Sequence, residues 1–431
     1  MEEIKITKLD EVVYHETLEN GLNVYLYKKE GFNKKSAFFV TKYGSSYNDF
    51  RPIGKKKIKS FPLGIAHFLE HKLFENSDNE NTFTKFERYG ANVNAYTSKK
   101  ETCYYFTCSN NFNECLNLLL DFVGTPYFTD ENVEKEKGII EQEINMTNDS
   151  VSNFLYDKDF YNTIIYDNNK YSVIGDAKNV RKITKEDLYE CYNTFYHPSN
   201  MTLVVAGDIN VDETINEIKN NQSKRNYQKQ DEILIKEYDE PKEVYKAYEQ
   251  CVKNVSTPRI SVCYKFVFPK AKGYDLLSNL MIFSMILDIK FSSSSSFSND
   301  LREKKIIKSD LSANYSSFEN MVLLMFDADV LDKERFIEEL DKKLKDKNYD
   351  EKMFELYKKA YITSIVKTYD SPSRVANVIY EHVINYGAFL PDIYTFYSNY
   401  TYDKFINDVG KLDFNNKSVI YVTSGKEVND A

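Results

Sequence analysis

Within the run Gly64-Ile65-Ala66-His67-Phe68-Leu69-Glu70-His71-Lys72-Leu73-Phe74, two histidines stand four apart with a glutamate between them. On a helix, residues four apart share a face, and a residue three along points to nearly the same side. Two imidazoles and a carboxylate would therefore converge on one point. That is the arrangement of a catalytic zinc site, in which two His nitrogens hold the metal and a nearby Glu handles a proton. The chain has five His among 431 residues. Composition alone would produce this spacing, with an acid in that place, about 0.01 times per chain, so an accidental surface pair is the poorer explanation.

Two histidines leave such a site short of a third protein ligand, and a hydrolytic zinc also needs one open position. Downstream, Glu134 to Met146 alternates acids and lysines with apolar residues at helical spacing, interrupted by Gly138. Glu136 and Glu143 lie seven positions apart, two helical turns, and share a face, whereas Glu141 points elsewhere. Taken alone this stretch reads as a solvated charged helix. Beside the upstream motif it can supply the missing carboxylate.

A third block, Gly90-Ala91-Asn92-Val93-Asn94-Ala95-Tyr96-Thr97-Ser98 followed by Thr102 to Phe106, completes an ordered set. Together these blocks resemble the pitrilysin/insulinase family of zinc peptidases, whose order H-x-x-E-H is the inverzincin pattern and which includes the mitochondrial processing peptidases. The nearest likeness is to insulinase-like proteins of Gram-positive bacteria. The likeness covers the first half well and extends, through Phe195 to Asp208, to about residue 225. It implies Zn²⁺ held by His67, His71 and Glu143, with Glu70 as the general base. It implies Glu136 as the acid that supports the site, orienting a ligand or the water. It also implies a substrate-holding edge strand at Asn94, Ala95 and Tyr96, which would bind peptide backbone by strand addition.

Active relatives carry an Arg and a Tyr, seven apart, in the second half, reaching the substrate and the transition-state oxygen. Arg302, in Leu301-Arg302-Glu303-Lys304, matches the Arg, but Ser309 stands where the Tyr belongs. The preceding loop, Ser292 to Ser296, is serine where many relatives have glycine. A phenol that donates to a developing oxyanion is worth about 3 kcal/mol, and a serine is too short to replace it from the same backbone position. Tyr315 could stand in only if the loop is shifted. The resemblance therefore implies a zinc-dependent endopeptidase acting on peptides or peptide precursors as the zinc-bearing subunit of a heterodimer. A paralogous subunit would supply the Arg/Tyr pair; a homodimer is the other arrangement. The alternative is a peptide-binding or scaffold-type member with little activity of its own.

Composition bounds the rest. The hydrophobic fraction of 42% and charged fraction of 29% are those of a globular protein, and 431 residues exceed one ordinary core. A net charge of −9 argues against a nucleic-acid partner. Lys55-Lys56-Lys57 with Lys59 reads as a solvated loop. No apolar run approaches the ~18 residues of a membrane span, and no secretory signal is visible at the start. Six cysteines without C-x-x-C spacing read as reduced side chains, which points to the cytoplasm. His15, His197 and His382 stand outside any ligand spacing and read as structural.

The elements that must position these residues alternate along the first half. Strands are expected at Val12–Thr17, Leu22–Tyr27, Ser36–Tyr43, Asn92–Thr97, Cys103–Cys108 and Met201–Ala206. Helices are expected at Pro62–Glu75, with Pro62 in the first turn, and at Thr82–Tyr89, Phe112–Val123, Asp130–Thr147 and Lys185–Phe195, the last capped by Thr184. From Lys219 to Glu243 the chain is polar apart from Ile233, Leu234 and Ile235. The second half repeats the order in outline, with strands at Val244–Val252, Arg259–Phe268, Leu311–Tyr315, Met321–Ala328 and Ser418–Thr423. Its helices are expected at Gly273–Ile289, Asp332–Leu344, Glu351–Lys367 and Ser373–Ile384. The expected organisation is a zinc-bearing domain at 1–225, a linker at 226–243 and a homologous domain without the motif at 244–431. The resemblance implies an α+β fold with two homologous domains, each an antiparallel sheet covered by helices, in a processing-peptidase-like half-clamshell.

Overall fold

A computed structural model describes residues 1–424 apart from Asn79 and Ser294; Ser294, in the loop Ser292 to Ser296, thus lies outside the described residues. The chain forms two units. The first comprises residues 1–146, 171–237 and 365–393, and the second 147–170, 238–364 and the chain from 394.

The sheet of the first unit has seven strands, in the order Glu2–Lys5, Val12–Thr17, Asn23–Lys28, Met201–Gly207, Lys35–Thr41, Thr102–Cys108 and Asn92–Thr97. Along the central strands, side chains alternate between two cores. Val24, Leu26, Phe39, Leu203 and Val205 face a cluster that includes Phe68 and Leu69 of the motif helix and Leu116 and Leu119 of Phe112–Val123. Tyr25, Tyr27, Phe38, Val204 and Ala206 face Val375, Ile379 and Val383 of the helix Pro372–Tyr386. Cover on both faces explains why all seven residues of Met201–Gly207 are buried and read as one apolar run.

The second unit carries a five-stranded sheet in the order Tyr248–Val252, Lys417–Thr423, Arg259–Val267, Met321–Asp329 and Ser312–Ser317. Its connectivity repeats that of five strands in the first unit. In each set of five, the strand earliest in sequence lies parallel to the latest: Asn23–Lys28 beside Met201–Gly207, and Tyr248–Val252 beside Lys417–Thr423. The remaining pairs are antiparallel. The expectation of antiparallel sheets therefore holds except for one pair per sheet. That pairing joins the two ends of each half, and local sequence carries no signal for it.

The units are discontinuous, unlike the contiguous division at 1–225, 226–243 and 244–431. The helix Val151–Thr163 from the first half buries Leu155 against Ile420 and Val422, and Phe160 against Cys263, Leu323 and Met325, all in the second unit. Pro372–Tyr386 from the second half belongs to the first unit. Between them, residues 237 and 238 mark the change of unit. On the first side, the Arg51 and Lys236 N–H groups donate to Leu234 O and Asp49 O. On the second side, buried Glu240 accepts the N–H groups of Ile165, Tyr166 and Asp167 and pairs with Lys265 at 2.6 Å. Among the described residues no helix is long and apolar enough to cross a membrane.

Candidate metal centre

The motif helix runs from Ile65 to Leu73, so Pro62 precedes it rather than opening it. Its cap is Gly64, with φ at +84°, a conformation that glycine adopts without strain. The same position faces the backbone of Ile174 and Gly175. A Cβ on Gly64 would sit 2.4 Å from the Ile174 carbonyl oxygen. Glycine here lets another loop press against the helix start. Phe68, Leu69 and Leu73 anchor the helix in the core, and the remaining face presents His67, Glu70 and His71.

The second positioning element is the helix Asp130–Asp149, which buries Val133, Glu136, Ile140 and Ile144. Glu143 stands at the margin of that stripe, with its side chain 42% exposed. His67 Nε2 lies 3.7 Å from Glu143 Oε1, and His71 Nε2 lies 3.7 Å from Glu143 Oε2. One donor atom from each of the three residues falls within 4.8 Å of the others. Tetrahedral zinc with bonds of ~2.1 Å needs donor atoms about 3.4 Å apart, so two imidazoles and a carboxylate at this spacing fit the ion. Glu141 points away, as expected, and holds Arg181 at 2.5 and 2.9 Å.

Around these three, each group has a distinct partner. Glu136 Oε1 lies 3.0 Å from His71 Nδ1, which leaves Nε2 of that ring directed at Glu143. His67 has no hydrogen-bond partner at its buried Nδ1 among the described residues. Glu70, buried, accepts a 2.7 Å hydrogen bond from the Thr97 hydroxyl. Burial, then the neighbouring His71, pushes the His67 pKa down to about 3. Burial pulls His71 down too, but the hydrogen bond and charge of Glu136, with Glu70 and Glu143, leave it raised. Burial raises Glu70 above the usual carboxylate range despite the Thr97 bond. For Glu136, burial acts upward, and His71 and Lys72 outweigh it, leaving it lowered.

The strand Asn92–Thr97 ends the first sheet and, among the described residues, pairs only with Thr102–Cys108. Asn94 and Ala95 lie in this end strand. The Tyr96 side chain points to the face opposite Ala95, where its hydroxyl meets that of Tyr380 at 3.2 Å. Arg302 belongs to the second unit, where it bonds Asp310 and Asn299. The Ser309 hydroxyl accepts from Asp329 N–H at 3.0 Å. Tyr315 meets Ser284 at 3.0 Å and packs on Phe283. His15, His197 and His382 bond Asn23, the Gln228 carbonyl with Ser199, and the Leu390 N–H respectively. All six cysteines are free thiols.

Two residues of the site escape sequence reasoning. Thr97 lies in the quoted strand block, but its tie to Glu70 depends on helix-to-strand packing. Lys72 looks like a surface lysine, yet it is fully buried.

Three side chains that could hold a metal ion, on one helix pair near the end strand of the sheet and within a duplicated α+β fold, match the layout of a metallopeptidase class. Residues 60–175 match the insulinase (peptidase family M16) model, and residues 182–361 match the M16 inactive domain. The zinc protease YmfH of Bacillus subtilis (strain 168) is 37% identical over 376 residues, covering 87% of this chain and 88% of that protein. An M16-like peptidase from Alicyclobacillus acidocaldarius superposes with a TM-score of 0.89 at 30% identity, covering 96% of this chain and 99% of that one. The human mitochondrial-processing peptidase subunit beta is 27% identical over 158 residues, 35% of this chain and 32% of that protein. The chain belongs to the insulinase family of peptidases, family M16.

Proposed function

We propose that this chain is a zinc-dependent endopeptidase for peptides or peptide precursors, and that it acts as the zinc-bearing subunit of a heterodimer in the cytoplasm. The observation that carries the reading is the convergence of His67, His71 and Glu143 donor atoms, with Glu70 buried beside them. When bound there, zinc supplies Lewis acidity and lowers the pKa of water toward neutrality. Glu136 fixes the His71 tautomer so that Nε2 is the free donor. Glu70 takes a proton from the attacking water and delivers it to the amine nitrogen as the peptide C–N bond breaks. Asn94, Ala95 and the backbone of Tyr96 hold the substrate as an added strand, a mode with little demand on its side chains. The local bonds of Arg302, Ser309 and Tyr315 support assigning the oxyanion donors to a paralogous partner. They equally keep open a chain that binds peptides and cleaves little on its own.

The test is hydrolysis of a peptide library by the chain alone and mixed with a paralogue lacking H-x-x-E-H, read by mass spectrometry. Turnover should appear or rise sharply with the partner. Full activity alone, with no gain from any partner, contradicts the heterodimer. In Glu70→Gln, zinc should stay bound while turnover falls by about 10²–10⁴-fold; unchanged hydrolysis contradicts the assigned base.

A further inference from the structure

Lys72 follows the second histidine of the motif, and its side chain is fully buried. A lysine almost never occupies such a place unless it is paired. Its Nζ lies 2.7 Å from Glu75 Oε1, donates to the Asn132 carbonyl oxygen at 3.0 Å, and stands 3.7 Å from Glu136 Oε2. The other oxygen of Glu136 is the one that meets His71 Nδ1. One carboxylate thus meets the histidine at hydrogen-bond distance through one oxygen and the lysine as a longer ion-pair contact through the other, the two residues being consecutive on the motif helix. Through Asn132 the same ammonium is fixed to the first turn of the helix that carries Glu136 and Glu143.

We propose that Lys72 is a positioning residue for the metal: it holds Glu136 against His71, so that His71 keeps the tautomer and ring angle that present Nε2 to a divalent cation. This rests on the metal reading above and adds a residue to it. The chemistry is specific. A carboxylate flanked by one imidazole alone can swing toward water; with a lysine facing its second oxygen as well it stays aligned. Partners of this kind set ring orientation and ligand basicity, and losing one costs about 10–100-fold in metal affinity. The route through Glu136 also distinguishes the proposal from a helix staple, which would stabilise the fold without depending on that carboxylate.

The experiment is a double-mutant cycle on zinc affinity, using the full chain: wild type, Lys72→Met, Glu136→Gln and the pair, with thermal melts alongside and the visible spectrum of the cobalt-substituted protein. Lys72→Met should weaken zinc about 10–100-fold. It should shift the cobalt spectrum in the same direction as Glu136→Gln, and the double variant should bind no more weakly than Glu136→Gln alone. Additive losses, or wild-type zinc affinity in Lys72→Met, overturn the proposal while leaving the metal site intact. If the wild type itself binds no zinc tightly, the reading beneath it fails instead. Should Lys72→Met not fold, the cycle is run with Lys72→Gln, which keeps a donor for Asn132 O but removes the charge, with the same expectation.

Discussion

Five strands of the first sheet repeat the connectivity of the second, yet among the described residues the first unit alone brings together a His/Glu trio that could hold a metal ion. In the first unit, the motif helix lies in sequence between Lys35–Thr41 and Asn92–Thr97 and carries His67, Glu70 and His71. At the corresponding place between Arg259–Val267 and Ser312–Ser317, the second unit has Gly273–Phe291, whose buried residues include Leu276, Leu280, Met281, Phe283 and Ile286. Each unit ties its outermost strand to that helix by a hydroxyl: Thr97 to Glu70 in the first, Tyr315 to Ser284 in the second. The frame is therefore neutral toward chemistry. Function follows from which helical positions carry donors, and the unarmed copy shows how the same positions read when they only fill a core.

The comparison can be sharpened by disturbing each copy in turn. The largest effect on stability is expected in the second unit, where Val151–Thr163 puts Asp159 against the sheet. Burial pushes its carboxyl up to about 8 from 3.8, while Ser261, donating at 2.8 Å, pulls it down. A raised acid stabilises the fold below the unfolded pKa, and that contribution is lost as pH climbs from about 4 to about 8. Asp159→Asn should thus gain stability relative to wild type between pH 5 and pH 8.5, on the order of 1–3 kcal/mol. Thermal melts at both pH values check it; a pH-independent difference contradicts it.

Next come the two hydroxyl ties. Thr97→Val removes a charge-assisted hydrogen bond of about 1.5 kcal/mol and should lower turnover about tenfold without releasing zinc. A rate equal to wild type would separate Thr97 from the base. The mirror change, Tyr315→Phe, should leave peptide hydrolysis within about threefold, because its phenol is spent inside the second unit. A fall of two orders of magnitude, measured with the same substrate, would make Tyr315 the oxyanion donor and remove the need for a partner.

Much of the first unit is legible in the sequence. Val12–Thr17, Asn92–Thr97, Phe112–Val123 and Lys185–Phe195 stand where period and caps place them, the last with a Thr184–Asp187 capping box. The His67–His71 pair stands out in the sequence because histidine is scarce and helical spacing is rigid, whereas Glu143 is picked out only by the family resemblance. The helix Val151–Thr163 is not legible, because it buries Asp159, Asn162 and Thr163 beside its apolar residues and so lacks a clean stripe. Val211–Ser223, capped by Asn210, shows few apolar residues and reads as polar chain. The exchange of segments between units, the parallel pairs and the burial of Lys72 all depend on contacts distant in sequence, which composition and period do not carry.

In the proposed site, the side chains at 67, 71 and 143 share one divalent ion. Metal analysis after dialysis against zinc-containing buffer, on wild type and Glu143→Gln, tests it most directly. The account predicts about one zinc per wild-type chain and a loss of at least ~10-fold in affinity in the variant, with the fold retained. A wild-type chain that holds no zinc, or a Glu143→Gln chain that holds it equally tightly, would contradict it.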